Sequence, residues 1–263
     1  MSLLSSTNKA ASRYSSGNLN TYFIADLHLD PAQPRPYKLA LEFLAQVPPA
    51  ESLYVMGDLF EYWIGDDAGI PLYKDVVSAL AALSDSGCQI TIMHGNRDFL
   101  LGGAFAQATG ASLVIADELM IDLDGEPVLL MHGDTLCTDD TEYQAFRKQV
   151  RDAQWQQAFL AKSIEERIAY ATGLRKQSRD LSAEKTNELM DVTASQVGAR
   201  FDARQCNTMI HGHTHRPKEH LDEPIGTKRL VLGDWHPEHA IYAVHNTAGL
   251  YLNRFEGVLP SQM

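Results

Sequence analysis

Five short apolar runs punctuate the chain: Tyr22-Phe23-Ile24-Ala25, Leu53-Tyr54-Val55-Met56, Ile90-Thr91-Ile92-Met93, Val128-Leu129-Leu130-Met131 and Thr208-Met209-Ile210. They do not follow the apolar-polar alternation of a half-exposed strand, so each predicts a strand buried on both faces. Between the first three lie Tyr37-Leu39-Ala40-Phe43-Leu44-Val47 and Leu72-Val76-Val77-Leu80-Leu83, whose apolar residues recur every three or four positions and predict helices. Strand and helix alternate, which predicts an α/β fold with sheet inside and helices outside. Later runs at 229–232, 240–244 and 250–255 leave no room for helices between them, and predict a terminal antiparallel section.

Residues 139–191 break the rhythm with more than fifty positions of helical character, including Phe146, Val150, Trp155, Phe159, Leu160, Ile164, Ile168 and Leu174. An insertion of that length between two strands is expected to be functional. Residues 1–19 are rich in Ser, Asn and Ala without periodicity, and predict a disordered tail. The organisation read from the chain is therefore a tail (1–19), the first part of a core (20–138), a helical insertion (139–191) and the second part of the core (192–263).

Composition narrows the partners. With 22 Lys and Arg against 34 Asp and Glu, the net charge of −12 opposes the phosphate backbone of nucleic acid. The insertion is nearly neutral, with ten acidic and nine basic side chains, so the acidic excess lies elsewhere. Arg175, Lys176, Arg179 and Lys185 supply a local positive device there. Cys88, Cys137 and Cys206 form no C-x-x-C pair, which argues against a disulfide framework and fits a reducing cytoplasm. No apolar run approaches the ~20 residues of a spanning helix. A soluble protein, or one on a membrane surface, is expected.

The candidate chemistry lies where the strands stop. Asp26-Leu27-His28, Gly57-Asp58, Gly95-Asn96, His132-Gly133-Asp134 and Gly212-His213-Thr214-His215 all follow apolar runs. In an open α/β sheet the carboxyl ends of neighbouring strands meet in one crevice, so these segments can converge. The converging set is Asp26, His28, Asp58, Asn96, His132, His213 and His215, oxygen and nitrogen ligands without sulfur. Seven donors with one shared carboxylate make a two-metal site. D-x-H suits an extended strand end, where residues i and i+2 share a face. His211 is expected behind the ligands or in the core, and Asp66 and Asp67 in a turn or helix cap.

These motifs, with Gly95-Asn96-Arg97-Asp98 and His211-Gly212-His213-Thr214-His215-Arg216-Pro217, resemble the calcineurin-like metallophosphoesterase superfamily. Over about residues 20–250 the chain is similar to its UDP-2,3-diacylglucosamine pyrophosphatases of lipid A synthesis. The resemblance implies a four-layer αββα sandwich with the helical insertion as a lid. It implies one Mn²⁺ on Asp26, His28, Asp58 and His215 and a second on Asp58, Asn96, His132 and His213, although the ligand types also suit Fe or Zn.

It further implies that water activated by two metals attacks the α-phosphorus of UDP-2,3-diacylglucosamine, giving UMP and 2,3-diacylglucosamine 1-phosphate. Asn96, Arg97, Asp140, Tyr143, Ser178, Ser182, Lys185 and His213 are the implied substrate contacts. Arg97 stands where the superfamily carries a His that assists the leaving group, and Ser182 where the family often has Asn. Asp98 and Asp134 are expected to orient His ligands, and Trp155, Phe159, Leu160 and Ile164 to shelter acyl chains. A peripheral monomer at the cytoplasmic face of an anionic inner membrane, without nucleic acid, completes the expectation. Another nucleotide or phosphoester substrate is the alternative.

Overall fold

The computed structural model describes residues 20–47, 51–184, 191–233 and 235–257, with side chains omitted for 176–184. The tail expected at 1–19 and Lys185 lie outside the described residues. The first half runs β1 (Thr21–Ile24), α1 (Pro34–Gln46), β2 (Ser52–Met56), α2 (Asp66–Leu72), α3 (Lys74–Asp85), β3 (Gln89–Met93), α4 (Gly103–Thr109) and β4 (Ser112–Val114). The second runs β5 (Glu118–Leu123), β6 (Glu126–Met131), α5 (Thr141–Val150), α6 (Ala153–Leu160), α7 (Ile164–Glu184), α8 (Ala194–Arg204), β7 (Thr208–His211), β8 (Lys218–Leu221), β9 (Lys228–Val231), β10 (His239–Asn246) and β11 (Gly249–Glu256).

The strands form two sheets, in the orders β11-β10-β1-β2-β3-β4 and β5-β6-β7-β9-β8. Phe23, Ala25, Met56 and Met93 from the first sheet pack with Leu130, Ile210, Leu230 and Leu232 from the second. Ile24, Leu53, Val55 and Ile92 turn the other way, to Leu44, Leu80 and Phe105 of the helices. Leu129, Met131 and Met209 do the same against Val197 and Phe201 of α8. The α/β fold is thus layered helix, sheet, sheet, helix. Side chains alternate between two layers, and because both layers are apolar the strands read as unbroken apolar runs.

Two expectations change. The helix expected through 72–83 starts at Lys74 as α3: Leu72 ends the short α2, and Tyr73 between them leaves helical angles (φ −107°, ψ 30°) although its N–H still donates to Gly69 O. That break lets Tyr73 bury fully in stacked contact with Trp63. The run at 229–232 does not join a terminal antiparallel section. β9 pairs parallel with β7 in the second sheet, whereas β10 and β11 form an antiparallel pair at the edge of the first. Strand β8, too polar to stand out in the pattern, lies between β7 and β9 in the chain.

The fold positions chemistry through its parallel pairs. β1, β2 and β3 run in one direction side by side, as do β6 and β7. Their carboxyl ends therefore open on one edge of the sandwich.

Candidate metal centre

The loops leaving these strands keep the sheet's hydrogen bonding for a few residues more. Asp26 N donates to Gly57 O (3.1 Å), His28 N to Asp58 O (3.0 Å) and Leu29 N to Leu59 O (3.0 Å). In these loops Asp26, His28, Asp58, His213 and His215 all have positive φ, from 47° to 71°. The extended D-x-H expected from the sequence is therefore incorrect. A left-handed residue with a Cβ costs about 1–2 kcal/mol, and five occur together where the polar side chains converge. This concentration of backbone strain marks a functional site.

Asp98 and Gly95 hold the loops in place. Fully buried Asp98 accepts from Gly95 N (2.8 Å), Asp58 N (3.2 Å) and Leu59 N (2.7 Å). It orients backbone rather than the histidine expected, because its two oxygens are spent on amides. A Cβ on Gly95 would lie 2.2 Å from Asp58 N and Oδ1, so only glycine permits this approach.

All seven expected ligands meet on this edge. Donor atoms of Asp26, His28 and His215 lie within 4.8 Å of one another, as do those of Asp26, Asp58 and His132. The two oxygens of Asp58 point to opposite sides, Oδ2 at 3.8 Å from His28 Nδ1 and Oδ1 at 3.8 Å from His132 Nε2. Asn96 Oδ1 lies 2.8 Å from His132 Nε2 and 2.9 Å from His213 Nδ1. Nδ1 of His132 is 3.0 Å from Met56 O, which can only accept, so that nitrogen carries the proton. In a neutral ring Nε2 then presents a lone pair toward the Asn96 oxygen, an arrangement a cation between them would satisfy. Asp26 Oδ1 and His28 Nδ1 are buried without a hydrogen-bond partner. The donor set fits divalent metal ions.

The electrostatics agree. Burial pushes the Asp26 carboxyl up to about 7, with His132 opposing the shift and Asp58 reinforcing it. Burial takes His28 well below its usual range, and His213 down to about 3 with His132 beside it. His132 moves upward: burial opposes its charge, but the carboxylates of Asp58, Asp26 and Asp134 prevail. The edge concentrates negative charge and unprotonated ring nitrogens, and draws positive charge toward itself.

The centre forms the floor of a cavity of about 830 Å³ between the core and the helices α5, α6 and α7. Asn96, Arg97, Asp140, Tyr143 and His213 line it. Arg97 donates through Nη1 to Glu61 (2.6 Å), and its Nε lies 3.5 Å from Asp58 Oδ2. Asp140 caps α5, accepting from Tyr143 N at 3.2 Å. Tyr143 donates its hydroxyl to Asp134 (2.7 Å) and sets its ring 5.7 Å from that of His213. Asp134 also accepts from Arg147 Nε (2.6 Å), so it fastens α5 rather than orienting a histidine. Burial opposes its charge, yet His132, His213 and Arg147 hold it below the usual carboxylate range. Ser178 and Ser182 lie on α7, where side chains are not described.

Trp155 and Phe159 line the cavity with Phe99, Phe146, Tyr170 and Leu174, and Phe159 is at the same time buried in the core cluster with Trp155 packed against it. Leu160 and Ile164 are not among the lining residues, and are 41% and 38% exposed. Of the expected positive device, Arg175 pairs with Glu61 and donates to its backbone oxygen. Side chains of Lys176 and Arg179 are not described, and Lys185 lies outside the described residues. Glu61, clasped by Arg97 and Arg175, belongs to none of the strand-end motifs. Its signal in the sequence is one acidic residue within the apolar stretch Leu59-Phe60-Glu61-Tyr62-Trp63-Ile64.

Histidines and acids outside the cluster have structural partners. His94 lies 2.9 Å from Leu101 O, and buried His211 faces Gly212 O and Arg229. Asp66 accepts from Gly102 N and Phe105 N at the start of α4, and Asp67 pairs with Arg167.

Residues 19–217 match the family model described as calcineurin-like phosphoesterase. The chain is 46% identical over 236 residues to a UDP-2,3-diacylglucosamine hydrolase from Stenotrophomonas maltophilia, covering 86% of this chain and 95% of that one. Proteins of the same name from Cellvibrio japonicus and Chromohalobacter salexigens are 46% and 47% identical. Each alignment covers 83% of this chain, and 92% and 90% of those proteins respectively.

Proposed function

Because the chain belongs to the calcineurin-like phosphoesterase family and is 46% identical to a UDP-2,3-diacylglucosamine hydrolase over 86% of its length, we propose that it hydrolyses the pyrophosphate of UDP-2,3-diacylglucosamine. The products are UMP and 2,3-diacylglucosamine 1-phosphate, an intermediate of lipid A. The observation that carries the reading is the meeting of seven oxygen- and nitrogen-bearing residues, four of which, Asp58, Asn96, His213 and His215, line a cavity with aromatic walls.

Asp26, His28, Asp58 and His215 would hold one ion, and Asp58, Asn96, His132 and His213 the other, two Mn²⁺ in all. The opposed oxygens of Asp58 support its bridging role. When bound, divalent ions polarise water and offset charge on phosphoryl oxygens. Met56 O keeps the His132 proton on Nδ1, leaving Nε2 to the centre. Arg97 presents a planar set of donors to the phosphates of the substrate. Attack at the α-phosphorus expels a sugar 1-phosphate, which departs as a phosphate anion. That leaving group needs less protonation than an alkoxide, consistent with Arg97 in place of an acid.

Asp140, Tyr143, Ser178, Ser182 and Lys185 contribute contacts to the UDP-sugar from the insertion, which acts as a lid. Trp155, Phe159, Tyr170 and Leu174 shelter the acyl chains. Among the described residues no helix is long and apolar enough to cross a membrane. The protein acts as a peripheral monomer at the cytoplasmic face of the inner membrane, where its lipid substrate resides.

Turnover of UDP-2,3-diacylglucosamine with Mn²⁺ in ¹⁸O water tests the reading. Label in UMP is expected. Label in the sugar phosphate would reject attack at the α-phosphorus, and faster hydrolysis of a chromogenic phosphodiester than of the lipid would reject the substrate.

A further inference from the structure

Arg229 lies within β9, only 7% exposed. Burying a guanidinium is costly unless its donors are used, and a carboxylate is the usual partner. Here the carboxylates of Asp191 and Glu223 act on the charge without a direct hydrogen bond, Nη1 donates to Nε2 of His211 at 3.0 Å, and Nε has no hydrogen-bond partner. Strand register explains the meeting. Arg229 stands opposite Met209 on parallel β7, and His211 follows on the same face two residues later.

The His211 ring is constrained from both sides. Arginine only donates, so Nε2 must accept. Nδ1 lies 2.9 Å from Gly212 O, which only accepts, so Nδ1 must carry the proton. One neutral tautomer satisfies both contacts. The pinned Gly212 carbonyl shares a peptide plane with His213 N, and that amide donates to Asp26 Oδ2 at 2.8 Å. Gly212 N in turn donates to His132 O at 2.8 Å. A Cβ on Gly212 would lie 2.3 Å from Asp26 Oδ2, so the peptide is pressed against the carboxylate.

We propose that Arg229 is a positioning residue that sets His211 in its Nδ1-protonated form and thereby fixes the Gly212–His213 peptide that aims Asp26 and His213 into the metal centre. The proposal rests on the reading of Asp26 and His213 as metal-holding residues. Its first link, from Arg229 to the tautomer of His211, does not. A purely structural buried arginine would affect stability without selecting a tautomer.

The test replaces Arg229 in the full chain and reads three quantities. In metal-free protein labelled with ¹⁵N-histidine, wild type is expected to show His211 protonated at Nδ1 alone, and Arg229→Met, which keeps only the Gly212 O constraint, to show a mixture of the two tautomers. Calorimetric Mn²⁺ titration is expected to show affinity at one of two sites weakened about 10- to 100-fold in Arg229→Met, as for other groups that orient ligands. Lipid turnover should lose kcat with KM little changed. Arg229→Lys, which keeps a donor, should recover part of all three.

An unchanged tautomer in Arg229→Met, or a changed tautomer with wild-type Mn²⁺ affinity, overturns the proposal. Should Arg229→Met fail to fold, Arg229→Lys is judged by the same tautomer and affinity criteria against wild type. A wild-type protein that binds no Mn²⁺ removes the metal reading instead, while the tautomer comparison still decides the first link.

Discussion

The metal centre and the insertion above it face the same cavity but are built in different ways. The centre is set by backbone. Asp26, His28 and Gly212 are hydrogen-bonded through their amides to the neighbouring segment, and Asp98 gathers three more amides beneath them. The insertion is fastened by side chains of arginine: Arg147 to Asp134 and Asp117, Arg151 to Gly95 O, Arg167 to Asp67 and Ile64 O, and Arg175 to Glu61. These arginines are largely buried (3%, 14% and 20% exposed for Arg167, Arg147 and Arg175), so salt screens their contacts little. The contrast is one of what a substitution can remove: a single side chain unfastens a point of the insertion, whereas the amides that hold the centre belong to every residue.

Substitutions can sharpen or break this contrast. The largest effect is expected from Asp58→Ala, which removes the carboxylate between His28 and His132. Hydrolysis should be lost together with at least one equivalent of bound metal, measured by elemental analysis. Normal turnover by this variant would end the two-metal reading. Arg97→Ala belongs to the boundary between the regions. It should weaken substrate binding and turnover by about tenfold or more, given the strength of charged hydrogen bonds, with metal content unchanged. Metal loss would place Arg97 with the centre instead.

Arg167→Met acts only on the cover. Arg167 is 3% exposed and donates to Ile64 O at 2.6 Å, so its removal leaves a carbonyl without its donor, at about 1–3 kcal/mol. KM should rise several-fold more than kcat falls, and metal content should stay constant. A kcat loss matching that of a ligand variant would contradict the division. The smallest effect is expected from Asp191→Asn, at the base of the insertion, where Arg216 Nη1 lies 2.6 Å from Asp191 Oδ2. Burial opposes the Asp191 charge, but the Val192 amide and Arg216 hold its carboxyl below the usual value.

A depressed carboxylate adds stability above its unfolded pKa of about 4 and loses it as pH falls through the folded value. The wild type should therefore exceed Asp191→Asn by well under 1 kcal/mol at neutral pH, since the pair is partly exposed. Their melting temperatures should converge in acid.

Legibility in the sequence followed the same division. The strand-end motifs could be read because each candidate ligand lies within four residues of the carboxyl end of a strand, and the carboxyl ends of parallel strands share an edge. Tyr143 and Asp140 lie in the cavity as the resemblance implied. Their hydrogen bonds to Asp134 and within the cap of α5 are absent from any local pattern. Glu61 shows the limit: its importance depends on Arg97, 36 positions away, and Arg175, 114 positions away. Leu160 and Ile164 show another, since an apolar residue on an amphipathic helix can face a cavity or solvent according to how the helix is rolled.

By itself, then, the sequence determined the layered α/β class, the identity of the donors and their order along the chain. Apolar periodicity and strand-end polarity are local properties, fixed by neighbours a few positions apart. Tertiary structure alone decided the left-handed backbone at five candidate ligand positions, the assignment of β9 to the second sheet, the tie from Arg229 to His211, and which arginines hold the insertion down. Those features depend on contacts between distant segments, where packing and the pairing of buried charge select among side-chain arrangements that the local pattern leaves equal.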